Sequence, residues 1–251
     1  MAMEQQIPKI LHYCWFGSNP LPPLLQECIK TWSQHCPEYK IMCWNEESYD
    51  IHSNSFVEQA YQKKHWAFIA DYVRLDVLLR YGGVYLDTDV ELLQPLDPLL
   101  KNDCFTGFET KDTVATGVIG CTKDHPIIQK LFACYKDHEY LQNGERTITT
   151  GPILFTNVLK DSGLLLTGKK QVVSGCTVYP SVVFYPTGIH WIAGRYSSKT
   201  MSVHHYTDSW RGRTVSDRRT LLSRIRLSLV FCGRNLIGTS RMYELSRRIK
   251  K

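Results

Sequence analysis

Asp87 and Asp89 stand one residue apart in the run Tyr81-Gly82-Gly83-Val84-Tyr85-Leu86-Asp87-Thr88-Asp89-Val90-Glu91. In an extended chain, positions i and i+2 point the same way, so the two carboxylates can converge on one hard divalent cation. A cation held by only one or two carboxylates completes its shell with water and phosphate oxygens, which suits a nucleotide diphosphate. A bare D-x-D is also what a solvated strand end looks like. An EF-hand loop is excluded, because a loop starting at Asp87 would need Gly at its sixth position and Glu at its twelfth. Leu92 and Pro98 occupy those positions.

The elements around the pair set where it can sit. Trp66 to Tyr81 has no Gly or Pro and stops at Gly82, so it predicts a long helix, apolar on most faces and therefore buried. Asp71 and Arg74 lie three apart on it and share a face. Val84 to Asp87 follows as a buried strand with the aspartates at its carboxyl end, where ligands bind in open α/β sheets. Ile7 to Gly17 and Tyr39 to Trp44 read as strands, and Leu24 to His35 and Ser55 to Lys64 as helices. Further strands are expected at Phe105 to Phe108, Thr116 to Cys121, Val178 to Tyr185 and Met201 to Tyr206. Further helices are expected from His125 to Tyr135 and from Gly151 to Leu159. The alternation argues for an α/β sheet covered by helices.

Composition narrows the setting. With 251 residues the chain has room for one large domain or two small ones. Nine cysteines without a C-x-x-C pair read as reduced thiols in a cytosolic protein. No secretory signal and no run of about 20 apolar residues is visible, so a soluble or peripheral protein is expected. The net charge is +6, yet residues 218–251 alone hold ten Lys/Arg against Glu244, a local +9 that leaves the body at −3. Boundaries at 1–217 for a catalytic domain and 218–251 for a basic tail follow from that shift.

Two families resemble the aspartate region. VYLDTDV is similar to the strand motif of haloacid-dehalogenase-type phosphatases, but that motif lies near the start of its chain and needs a later acidic pair not found here. The longer run AFIADYVRLDVLLRYGGVYLDTDVELL resembles the core of the D-x-D sugar transferases of glycosyltransferase family 32, and the catalytic domain of the large clostridial glucosylating toxins. PKILHYCWFG resembles the first strand of those families, and HHYTDSW their closing motif. The three matches come in the expected order and cover Pro8 to Trp210.

The resemblance implies a GT-A fold, a nucleotide-sugar-binding α/β sandwich with a mixed central sheet flanked by helices. It implies a retaining transferase that uses a nucleotide-sugar donor, usually UDP-linked, with Mn²⁺ or Mg²⁺ neutralising the leaving diphosphate. By position, Asp89 would bind the metal and Asp87 the metal, the ribose or both, with His205 as third ligand, while His204 would face the other side of its strand. Trp15 would stack on the base and Tyr85 would reach the nucleoside. Asp71 and Arg74 would bind sugar hydroxyls, and Ser209 and Trp210 would contact the diphosphate. The family's Asn after the D-x-D is replaced by Ala115-Thr116-Gly117, and Thr150-Gly151-Pro152 resembles a helix start near the acceptor. No residue stands out as a covalent nucleophile, so front-face transfer is expected, with the leaving phosphate helping to deprotonate the acceptor.

Arg218 to Lys251 mixes apolar residues with arginines and reads as one or two basic amphipathic helices broken near Gly233 and Gly238. Such a tail favours an anionic membrane, here the inner face of the cytoplasmic membrane, where a glycan or lipid-linked glycan acceptor for surface polysaccharide synthesis would lie. Packing of the tail back onto the domain is the structural alternative. Nucleic acid is not expected, since no recognition motif accompanies the charge. A haloacid-dehalogenase-type phosphatase and a non-catalytic nucleotide-sugar-binding protein remain the alternatives to a transferase.

Overall fold

The computed structural model describes residues 6–136, 140–142, 145–146, 150–186 and 196–207. In chain order the elements are β1 (Ile10–Cys14), α1 (Pro23–His35), β2 (Lys40–Trp44), α2 (Ser55–Gln62), α3 (Trp66–Tyr81), β3 (Gly83–Leu86) and β4 (Val90–Leu92). Then come β5 (Cys104–Gly107), β6 (Val118–Cys121), α4 (Pro126–Lys136), the short pair β7 (Leu141–Gln142) and β8 (Glu145–Arg146), and α5 (Gly151–Asp161). The described part closes with β9 (Gln171–Val173), β10 (Cys176–Tyr179), α6 (Ser181–Phe184) and β11 (Ser202–His204).

Seven strands form one sheet in the order β2-β1-β3-β6-β5-β10-β9. β1 pairs in parallel with both β2 and β3, and β10 with β5, while β6 and β9 run antiparallel to their neighbours. The sheet is therefore mixed and flanked by helices, as the resemblance implied. Because β6 opposes both β3 and β5, the carboxyl ends of β1, β3, β5 and β10 all open on one edge.

Each sheet face has its own core. One gathers Phe56, Ile69, Leu78 and Phe155 from α2, α3 and α5 around Tyr85. The other gathers Trp32 of α1, Val90 of β4 and Phe184 of α6 around Leu11, Val84 and Leu86. Strand alternation thus sends Val84 and Leu86 to the α1 side and Tyr85 to the α3 side. The residue after Leu86 continues toward α3.

The turn from α3 into β3 needs glycine twice. Gly82 has φ 64° and Gly83 φ 100°, both left-handed. A Cβ on Gly83 would come within 2.8 Å of the Ile10 carbonyl oxygen on β1. Fully buried His12 braces the same turn. Its Nε2–H donates to the Gly82 carbonyl at 2.8 Å, and its Nδ1 accepts from the Trp44 indole N–H at 3.2 Å.

One expectation is corrected. Val178 to Tyr185 is not one strand: the chain leaves the sheet at Pro180, which fits no central ladder, and turns into α6. β4 and β9, each only three residues long, were not anticipated. Residues 218–251, with their predicted amphipathic helices, lie outside the described residues.

Candidate active site

The aspartates sit just beyond β3, in a turn rather than on the strand. Val90 N–H donates to the Asp87 carbonyl at 3.0 Å, and Asp87 N–H to the Gly117 carbonyl at 2.9 Å. The turn leads into β4, which pairs antiparallel with β11, setting His204 opposite Val90. The ladder runs one step further, with His205 N–H donating to the Asp89 carbonyl at 3.0 Å.

That register decides which histidine meets the aspartates. His204 Nε2 lies 2.9 Å from Asp89 Oδ1 and 3.9 Å from Asp87 Oδ2. His205 points the other way, its Nε2 2.8 Å from Glu91 Oε2. The two histidines therefore exchange the places expected of them, because Glu91 opposes Val203 and His205 shares that face. The second oxygen of Asp89 accepts from Thr207 N–H at 2.9 Å and from its hydroxyl at 3.0 Å.

Charge follows this geometry. Burial opposes the charged form of His204, but the charge and hydrogen bond of Asp89, with Asp87 and Glu109 adding, push it up to about 9. Burial also opposes ionisation of Asp89, yet His204 and Thr207 hold it well below the usual carboxylate range.

Asp71 and Arg74 form the layer beneath. Arg74 Nη2 is 3.0 Å from Asp71 Oδ1, while its Nη1 lies 3.4 Å from Asp87 Oδ1 and donates to the Thr116 carbonyl at 2.7 Å. Nε donates to the Ala70 carbonyl at 3.0 Å, and the guanidinium stands 4.6 Å from the centre of the Tyr85 ring. Both members of the pair are buried. Burial pushes Asp71 up to about 6, with Arg74 and the Gly151 N–H working against it. The start of α5 therefore faces the Asp71 carboxylate, an anion at a helix N-terminus.

Two glycines leave room for these carboxylates. A Cβ on Gly117 would come within 2.9 Å of Asp87 Oδ2, and one on Gly151 within 2.7 Å of Asp71 Oδ1. Tyr85 does not offer its ring to a nucleoside as expected. It is buried under Arg74 and forms a platform for it. Trp15, half-buried just past β1, donates its indole N–H to the Asn19 carbonyl at 2.6 Å, which holds the ring in place. Ser209 and Trp210 lie outside the described residues.

Sequence reasoning passed over Glu109, Thr207 and Tyr185. Glu109 follows the carboxyl end of β5 on the same edge as Asp87, and burial among these groups raises its carboxyl, with Tyr206 opposing. The Tyr185 ring is 5.9 Å from that of His204, and its hydroxyl stands near Gly117. Only the position of Glu109 just past a predicted strand could have flagged it.

The donor chemistry suits a divalent cation: two carboxylates and an imidazole, on the edge where ligands enter. Buried His204 Nδ1 has no hydrogen-bond partner, and Nε2 ligates a cation only after giving up the proton it shares with Asp89. Among the described residues no three His, Cys, Asp or Glu side chains form a ready-made cage. Mg²⁺-type sites are seldom all-protein cages, and substrate phosphates and water complete them.

Residues 22–106, which hold α1 through the aspartates, match the family described as "Glycosyltransferase sugar-binding region containing DXD motif". Those residues are similar to the sugar-binding region of the DXD glycosyltransferases. Mannosyl phosphorylinositol ceramide synthase CSH1 of Saccharomyces cerevisiae is 30% identical over 171 residues, 62% of this chain and 43% of that protein. Inositol phosphoceramide mannosyltransferase 3 of Schizosaccharomyces pombe is 30% identical over 130 residues, 49% of this chain and 35% of that protein. The solved PaToxG glycosyltransferase aligns with a TM-score of 0.45 at 20% identity, covering 62% of this chain and 70% of that one. The chain spans less than half the length of these two curated relatives.

Proposed function

We propose that this chain is a metal-dependent retaining glycosyltransferase that moves a sugar from a nucleotide donor, UDP-linked, to a glycan or lipid-linked glycan. The observation that carries the reading is the gathering of Asp87, Asp89, His204, Arg74 and Asp71 at the carboxyl end of β3. Asp87, Asp89 and His204 would hold Mn²⁺ or Mg²⁺. The bound ion would neutralise charge on the leaving diphosphate.

The chain's own residues do the positioning. Arg74, clamped by Asp71, the Thr116 carbonyl and Tyr85, holds the Asp87 carboxylate in place from below. Trp15 offers a flat apolar face beyond β1, the neighbouring parallel strand, suited to a nucleobase. Ser209 and Trp210 would close over the diphosphate. Front-face transfer remains the reading of the chemistry, and a glycosyl adduct trapped on Glu109 would overturn it. The basic tail would hold the protein at the inner membrane face, next to a lipid-linked acceptor in polysaccharide synthesis.

The test is a panel of nucleotide sugars assayed with and without Mn²⁺ for donor hydrolysis and for a rise in melting temperature. Metal-dependent release of nucleotide that is lost in Asp89→Asn supports a transferase. Stabilisation without turnover would mark a binding protein. No response to any nucleotide, with release of phosphate from sugar phosphates instead, would favour a phosphatase.

A further inference from the structure

The loop between α5 and β9 holds two leucines out in water. Leu164 is buried at 4% exposure, whereas Leu165 is 67% and Leu166 38% exposed. Val172, on the edge strand β9, is 67% exposed, while its neighbour Val173 faces the core. Strand alternation turns Val172 to the opposite sheet face from Val173, so the apolar pair on the loop that Gln171 ties to the strand is Leu165 and Leu166.

The loop is built rather than frayed. The Leu165 N–H donates to Gln171 Oε1 at 3.0 Å. Gln171 Nε2 donates back to the Leu165 carbonyl at 2.7 Å and to Thr167 Oγ1 at 3.2 Å. Thr167 N–H donates to the Leu165 carbonyl at 2.8 Å, and Leu164 N–H to the Leu159 carbonyl at 2.9 Å. One side-chain amide thus satisfies the backbone of a loop that presents leucines outward, against the ordinary hydrophobic tendency.

Charge says what such a patch fits. Lys169 and Lys170 follow the leucines directly, and Lys160 ends α5 just before them. Lys111 approaches the same loop, its Cα 3.2 Å from where a Cβ on Gly168 would lie. Asp161 and Asp112 are the acids in these segments, so the surroundings are net positive. Apolar side chains flanked by lysines match an anionic lipid surface, where leucines enter the acyl boundary and ammonium groups meet headgroups. The position fits too. Gln171 pairs with Val178 near the carboxyl end of β10, on the sheet edge that also carries Asp87.

We infer that Leu165 and Leu166, with Lys169 and Lys170, form a docking surface for an anionic bilayer that turns the aspartate edge toward the membrane. These residues are distinct in sequence from the basic tail, and the inference does not depend on the transferase reading.

Hydrogen exchange of residues 163–172 in the full chain, alone and with phosphatidylcholine or phosphatidylglycerol-containing vesicles, tests it. Slowed exchange only with the anionic vesicles is expected. Leu165→Ser/Leu166→Ser and Lys169→Ser/Lys170→Ser should each lower vesicle partitioning about tenfold, while any nucleotide-induced rise in melting temperature stays as in the unsubstituted chain. Vesicle binding that leaves exchange of 163–172 unchanged would overturn the inference and assign binding to the tail. Equal protection by neutral vesicles, or no binding at all, would also overturn it. So would protection that grows with protein concentration without lipid, which would mark a contact between two copies through β9.

Discussion

His204 Nε2 stands 2.9 Å from Asp89 Oδ1, and the same nitrogen is 3.9 Å from Asp87 Oδ2, so both aspartates of the D-x-D meet at one imidazole. The meeting depends on pairing distant in sequence, since β11 brings His204 back beside the turn that follows β3. His205, one residue on, is committed to Glu91.

The two histidines should therefore behave differently. His204→Ala should weaken Mn²⁺ binding by about tenfold or more, the scale expected for a ligand or its close partner. His205→Ala should change it far less, acting through the Glu91 contact. Calorimetric Mn²⁺ titration of both variants checks this, and a larger loss for His205→Ala would restore it as the ligand.

Arg74 is shared by Asp71 and Asp87, and it is buried between them. Arg74→Ala would strand both carboxylates, a loss of about 3–5 kcal/mol for a buried pair broken on one side. Arg74→Lys would keep charge but lose the fork that also reaches the Thr116 and Ala70 carbonyls, and should recover only part of it. Urea unfolding of the three proteins measures the order. Equal stability of the Ala variant and the unsubstituted chain would refute the clamp.

Gly117 lies outside the set of left-handed glycines, so alanine fits its backbone. Its cost is contact: the new Cβ would stand 2.9 Å from Asp87 Oδ2 and 3.5 Å from the Tyr185 hydroxyl. Gly117→Ala should displace the Asp87 carboxylate and lower donor turnover about a hundredfold, the scale of a 1 Å misplacement. The melting temperature should fall only modestly. Unchanged turnover would mean that Asp87 has slack the structure does not suggest.

Local signals carried much of this site and the rest depended on long-range pairing. α3 was legible because an unbroken apolar run ends at Gly82, and β3 because it is a short apolar stretch ending in charge. Asp71 and Arg74 were legible as a helical i, i+3 pair, and they do form one. The choice between His204 and His205 was not legible, because it turns on the register of β11 against β4, a strand too short to leave a periodic signal. Tyr85 was expected to reach the nucleoside, and only packing shows that Arg74 covers it. Thr207 and Glu109 were missed because single polar residues in loops carry no pattern until the fold brings them together.

His12 offers a test of the brace beneath the site. Burial outweighs the help of the Gly82 carbonyl and lowers its proton affinity from the ordinary histidine value to about 4. Folded His12 stays neutral, with one nitrogen donating to Gly82 and the other accepting from Trp44. An unfolded chain takes up the proton near the ordinary histidine value of about 6.5, so it binds more protons than the folded chain between about pH 6.5 and 4. The stability due to neutral His12 is thus complete above that window and is lost as pH falls through it. His12→Gln should be less stable at pH 7, but its deficit should shrink by about 2 kcal/mol on going to pH 5. Denaturant unfolding of both proteins at the two pH values measures the gap. A gap that stays constant would show that His12 is not held neutral, and that the Gly82 turn leading into β3 is braced in some other way.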